Sequence, residues 1–159
     1  MQRTQEGFSL VELLIVVAII GILAAIAVPN FIAMQHRAKR AELPGNVEGI
    51  KSAQQAYFTA FDEYLDLGAS PAGNPSKVLT AWLASDANWA TLGWRPAGDV
   101  RGLYSAITTA QCAQDPTVYV GPTFCVTAAS DIDGNGDAVE YYAGPAYNAT
   151  IQSGYENVY

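Results

Sequence analysis

The sequence predicts an α+β protein in which a long N-terminal helix, apolar in its first half and amphipathic in its second, packs on a small antiparallel sheet. Three observations carry that prediction. Residues 8–28 read FSLVELLIVVAIIGILAAIAV, an apolar run broken only by Ser9, Glu12 and Gly21. Further on, Val47, Ile50, Ala53, Tyr57, Phe61 and Tyr64 recur at steps of three and four residues, which lays one apolar stripe along a helix. From residue 103 onward, short strand-like runs alternate with Gly, Pro and Asp, the rhythm of an antiparallel meander.

The N-terminal run decides the class. At a rise of about 1.5 Å per residue it makes a helix about 31 Å long, enough to cross a hydrocarbon core about 30 Å thick. Two ordinary readings fit its composition. One is a cleaved secretory signal peptide, with Arg3 as the basic start, residues 13–23 as the apolar stretch and Ala25-Ile26-Ala27 as the cleavage site. The other is a signal anchor that leaves a single-pass protein in the membrane. Neither explains Glu12, a lone carboxylate one turn inside the run, where insertion scales charge about 2.5 to 3.5 kcal/mol. Its natural partner is a cation at the same depth, yet Arg3 and Arg37 lie beyond opposite ends of the helix. A cut after Gly7 would create an α-amino group on Phe8, about one helical turn from Glu12 and at the right depth on a neighbouring copy.

Gly7-Phe8-Ser9-Leu10-Val11-Glu12, followed by the apolar run to Pro29-Asn30-Phe31, resembles the class III signal of type IV prepilins and of type II secretion pseudopilins. The resemblance implies that a prepilin peptidase cuts between Gly7 and Phe8 and methylates the new Phe8 amine. It implies that Glu12 pairs with the Phe8 amine of the subunit ahead as the chain is recruited, on an inner-membrane assembly platform, into a homo-oligomeric helical filament. The expected path is a single-pass inner-membrane protein with a cytoplasmic N-terminus, then an extracellular pilus or a periplasmic pseudopilus. One feature opposes this orientation: Arg37, Lys39 and Arg40 follow the run closely, whereas the leader has only Arg3 against Glu6, so the positive-inside rule alone puts the C-terminal domain in the cytoplasm.

In lipid such a helix gains little by meeting another, because acyl chains are as apolar as leucine. Outside lipid its side chains must be covered by copies of themselves, and a head-to-tail contact that does not close gives an open polymer. Gly21 and Pro29 weaken the helix, by missing side chain and missing N–H, so local bending is expected between them, although membrane helices tolerate both residues. The expected organisation is a leader at 1–7, a membrane and filament-core helix at 8–30, an amphipathic helix at 31–67 and a loop-and-sheet domain at 68–159. Pro44-Gly45 interrupts the second helical stretch, as a kink or as the start of a separate helix with Pro in its first turn.

Residues 68–76 read as a loop, 78–84 as a short helix with Trp82 and Trp89 anchoring the connection, and 103–109, 117–120, 123–128 and 138–142 as strands. Cys112 and Cys125 in a chain with an export signal point to a disulfide and an oxidising compartment. Asp131, Asp133, Asn135 and Asp137, with Gly134 and Gly136, reproduce the first half of a calcium loop, but Tyr142 stands where the bidentate acid belongs. The same residues suit a tight turn between strands, and no cofactor is required.

The formal charge of −7, with acids concentrated beyond residue 42, argues against nucleic-acid binding. The single histidine, His36, and the lack of a nucleophile elbow or phosphate loop argue against an enzyme. The resemblance implies a structural filament subunit of a pilus. A major pseudopilin of a type II secretion system and a membrane-anchored or secreted binding module are the alternatives.

Overall fold

The computed structural model of the chain describes residues 7–73, 76–108, 112 and 122–152. It divides into two compact units, Met1–Gln35 and His36–Tyr159. The first unit's structure is helix α1 (Leu10–Arg40), whose last residues count with the second unit. The run of Leu, Ile, Val and Ala extends this helix without a polar stripe, and Pro29 is accommodated inside it.

The second unit is built on α2 (Glu42–Phe61) and a five-stranded sheet: β1 (Leu67–Ser70), β2 (Leu103–Ile107), β3 (Cys125–Ser130), β4 (Val139–Gly144) and β5 (Tyr147–Ile151). The strands lie in chain order, each antiparallel to the next. A short helix α3 (Asn88–Leu92) sits in the long β1–β2 connection. The boundary at Ala41 follows from Pro44. Lacking an N–H, proline cannot bond the Arg40 carbonyl, and α2 restarts with Pro44 in its first turn while Ala41 stays right-handed helical. Ala41 N–H still reaches Arg37 O at 3.1 Å, so the helical path continues across the interruption at Pro44.

Alternation along the strands sets the core. Tyr104 and Ala106 of β2, Val126 and Ala128 of β3, and Val139 and Ala143 of β4 are buried, and α2 covers them with Leu43, Val47 and Ile50. On the opposite face of β2 and β3, Ser105 and Thr127 are register partners and share a 2.7 Å hydrogen bond. The apolar stripe on α2 is only part of its inner face. Lys51 and Gln54 are buried on it as well, and both bond backbone outside the helix. The Gln54 amide donates to Leu65 O at 2.6 Å and its carbonyl accepts Leu65 N–H at 3.0 Å, a side-chain imitation of a strand partner. Lys51 Nζ donates to Tyr147 O and Asn148 Oδ1, both at 2.8 Å.

Several boundaries differ from the sequence expectation. The helix ends at Phe61, not near residue 67, because Asp62 turns left-handed (φ 58°) and its N–H closes on Phe58 O. Tyr64 still meets the core from outside the helix, 4.6 Å from the ring of Phe124, which is why the apolar periodicity runs past the helix end. Residues 67–70, where the helix was expected to end and the loop at 68–76 to begin, form edge strand β1. Residues 78–84 are not helical but meet Val100 through an isolated bridge at Thr80, and the short helix lies ten residues later at α3. Asp86 lies just ahead of α3, and its carboxylate accepts Asn88 N–H at 2.9 Å and Gly68 N–H at 2.6 Å, which ties the start of α3 to β1. Trp82 and Trp89 do anchor this connection, Trp89 fully buried and donating to Gly68 O at 2.9 Å. Strand β5 was not expected, and the strand expected at 117–120 lies outside the described residues.

Candidate assembly segment at the N-terminus

Helix α1 starts where its sequence closes a capping box. Ser9 N–H and Oγ–H both donate to Glu12 Oε2, at 3.0 and 2.7 Å, while Glu12 N–H donates to Ser9 Oγ at 3.2 Å. Leu13 N–H reaches Ser9 O at 3.2 Å and completes the first turn. Backbone donors at the start of a helix would otherwise go unpaired, which is costly in an apolar surrounding. Both bonds fall on one carboxylate oxygen, Oε2, and among the described residues no bond is made to Oε1. Sequence reasoning found Glu12 but missed Ser9. The signal was there, since Ser-x-x-Glu before an apolar run is a helix-start signature.

The other expected residues of this segment take simple positions. Gly7 and Phe8 precede the helix, Phe8 being 74 % exposed. Gly21 lies mid-helix, and a Cβ there would meet nothing within 4 Å, so no contact within the chain requires a glycine. Pro29 removes one backbone bond eight residues later. No residue of α1 is buried, and its large apolar side chains from Leu10 to Met34 are 42–78 % exposed. By length and composition this helix can cross a membrane. Arg37, Lys39 and Arg40 occupy its last turn, where cations complement the helix dipole.

Away from this segment, Cys112 and Cys125 are joined as a disulfide, with Cα atoms 5.0 Å apart and both residues buried, Cys125 as the first residue of β3. Asp131, Asp133, Asn135 and Asp137 come together in the β3–β4 turn. Asp131 accepts Gly134 N–H (2.7 Å) and Gly136 N–H (3.0 Å), Asp133 accepts Asn135 N–H (3.1 Å), and Asn135 accepts Asp137 N–H (2.6 Å). Gly134 has φ 78°, a left-handed conformation that glycine adopts without strain. Among the described residues no group of three or more His, Cys, Asp or Glu side chains converges as a metal site.

Residues 2–28 match the family described as the prokaryotic N-terminal methylation motif, which spans the whole segment from Gly7 through Glu12 to Val28. The chain is 55 % identical over 61 residues to the type IV major pilin protein PilA of Myxococcus xanthus, covering 38 % of this chain and 28 % of the relative. It is 35 % identical over 122 residues to the type IV major pilin protein PilE1 of Neisseria gonorrhoeae, covering 72 % of this chain and 47 % of the relative. With the fimbrial protein EcpC of Eikenella corrodens it shares 40 % identity over 81 residues, 51 % of this chain and 49 % of the relative. The chain thus spans less than half the length of these relatives. Together with the helix-on-sheet fold, these findings support the type IV pilin family for this chain.

Proposed function

We propose that the chain is a structural, non-enzymatic subunit of an extracellular type IV pilus. It is cut between Gly7 and Phe8 by a prepilin peptidase, methylated on Phe8, and polymerised through α1 from an inner-membrane platform. The observation that carries this reading is that α1 has no buried residue. About fifteen large apolar side chains, at roughly 1.5 to 3 kcal/mol each, amount to tens of kcal/mol that only lipid or other helices can supply. Glu12, held on one oxygen by Ser9, is suited to receive the Phe8 amine of a neighbouring subunit. The relatives are named as pilins and fimbrial proteins, which favours a pilus over a pseudopilus.

In this reading the β3–β4 turn is held by its own hydrogen bonds, with Asp131, Asp133 and Asn135 accepting the turn's N–H groups. The experiment combines mass spectrometry of the mature N-terminus with imaging of sheared surface filaments. Chains beginning at methylated Phe8, and a filament loss in Glu12→Ala, are expected. Mature chains starting at Met1 or Val28 would refute the assignment, and normal filaments in the variant would remove the role given to Glu12.

A further inference from the structure

The β1–β2 connection brings three indoles together on the helix–sheet unit. Trp82 meets Trp89 and Trp94 edge-on, with ring centroids 5.0 and 5.6 Å apart and interplanar angles of 88° and 86°. Packing accounts for Trp89, which is buried. Trp82 and Trp94 also pack on the core, yet both are only half-buried, and with Trp89, Gly93 and Arg95 they line an open cavity of about 300 Å³. That volume lies at the small end of the range for ligand pockets. The position of Trp94 is itself built into the fold: a Cβ on Gly49 of α2 would lie 2.6 Å from its Nε1, so the glycine makes room for the ring. A second cleft of about 260 Å³ shares Trp82 and Arg95 and adds Asp99.

We infer that the two clefts form one saccharide-binding site, which takes one or two hexopyranose rings against Trp82 and Trp94 and holds their hydroxyls with Arg95 and Asp99. The negative face of an indole matches the outward C–H bonds of a pyranose, whose face is apolar. The rim of the sugar is polar, and a hydroxyl both donates and accepts. Arg95 offers only donors and Asp99, when ionised, only acceptors, so the pair covers both needs. An aromatic box alone would also attract an organic cation. Arg95, in the lining of both clefts, opposes that occupant by like charge, and Asp99 lines only the second, away from the three indoles' cavity. A purely apolar ligand would leave Arg95 and Asp99 without a role.

The test titrates the full chain, in micelles of a polyoxyethylene detergent that carries neither sugar nor ammonium, with cellobiose, maltose and N,N′-diacetylchitobiose while tryptophan fluorescence is followed. A saturable change with at least one sugar is expected, abolished in Trp82→Ala. Arg95→Ala, an exposed substitution that should leave the circular dichroism unchanged, should weaken binding about tenfold, the worth of one charge-assisted hydrogen bond. A flat response to all three sugars overturns the inference, as does a saturable response to choline chloride in their place, or sugar binding that persists unchanged in both variants. The micelle titration does not depend on filament assembly, so its failure leaves the pilus reading standing and the reverse also holds.

Discussion

A carboxylate inside an apolar helix is tolerable when its charge is answered, and Ser9 answers half of it. Two donors of one residue converge on Oε2 of Glu12, so the acid helps to start the helix before it meets any partner. The buried phenol of Tyr104 shows the opposite case, a group that the fold keeps neutral. Burial pushes its pKa up, and the nearby Glu42 carboxylate adds to this, against the lowering effect of the 2.8 Å bond from Asn46. Below pH 10 folded and unfolded chains both keep the proton, so the contribution to stability is constant. Above pH 10 the unfolded chain releases it first, and stability falls by up to about 1.4 kcal/mol per pH unit until the folded phenol ionises too. Melting temperatures measured from pH 9 to beyond 11 should therefore decline, and decline less steeply in Tyr104→Phe. An equal slope in the two chains would show that Tyr104 is not the group responsible.

At the scale of elements, α2 holds the sheet as much by polar side chains as by apolar ones. Lys51 bonds Tyr147 O and Asn148, Glu48 accepts the Ala149 N–H, and Gln55 Nε2 reaches Pro145 O at 3.2 Å, so the β4–β5 hairpin is gripped along its edge. This is why β5 was illegible in the sequence. Its residues Tyr-Asn-Ala-Thr-Ile are none of them fully buried, and its pairing is fixed by side chains about a hundred residues away. Strand β1 was hidden for a related reason: Leu-Gly-Ala-Ser has loop composition, and becomes a strand through β2 on one side and through Ser85, Asp86 and Trp89 beside it. By contrast β2, β3 and β4 were legible because alternate burial writes itself into the residue pattern, and α1 because apolarity alone specifies it. The β3–β4 turn makes a prediction of its own. If its own hydrogen bonds alone close it, the melting temperature should be the same in chelator and in millimolar calcium. A resident calcium at a hundred times its dissociation constant would instead add about 2.7 kcal/mol, a rise of several degrees.

The whole molecule joins two units with different solvent requirements. The helix–sheet unit has a core of its own, from Leu43, Val47 and Ile50 to Tyr104, Phe124 and Val126, closed at Cys112–Cys125, and is suited to water. Helix α1 has none, and its uncovered apolar side chains are the reason a free monomer outside lipid is so unfavourable. The basic last turn of α1 leaves the orientation open to measurement, because on the positive-inside rule Arg37, Lys39 and Arg40 would favour the cytoplasmic side. Sedimentation of the full-length chain, cut after Gly7 and exchanged into buffer without detergent or lipid, bears most directly on the role given to α1. All of the protein should sediment as filaments or other assemblies. A monodisperse soluble monomer with its helix–sheet unit still folded would contradict that role.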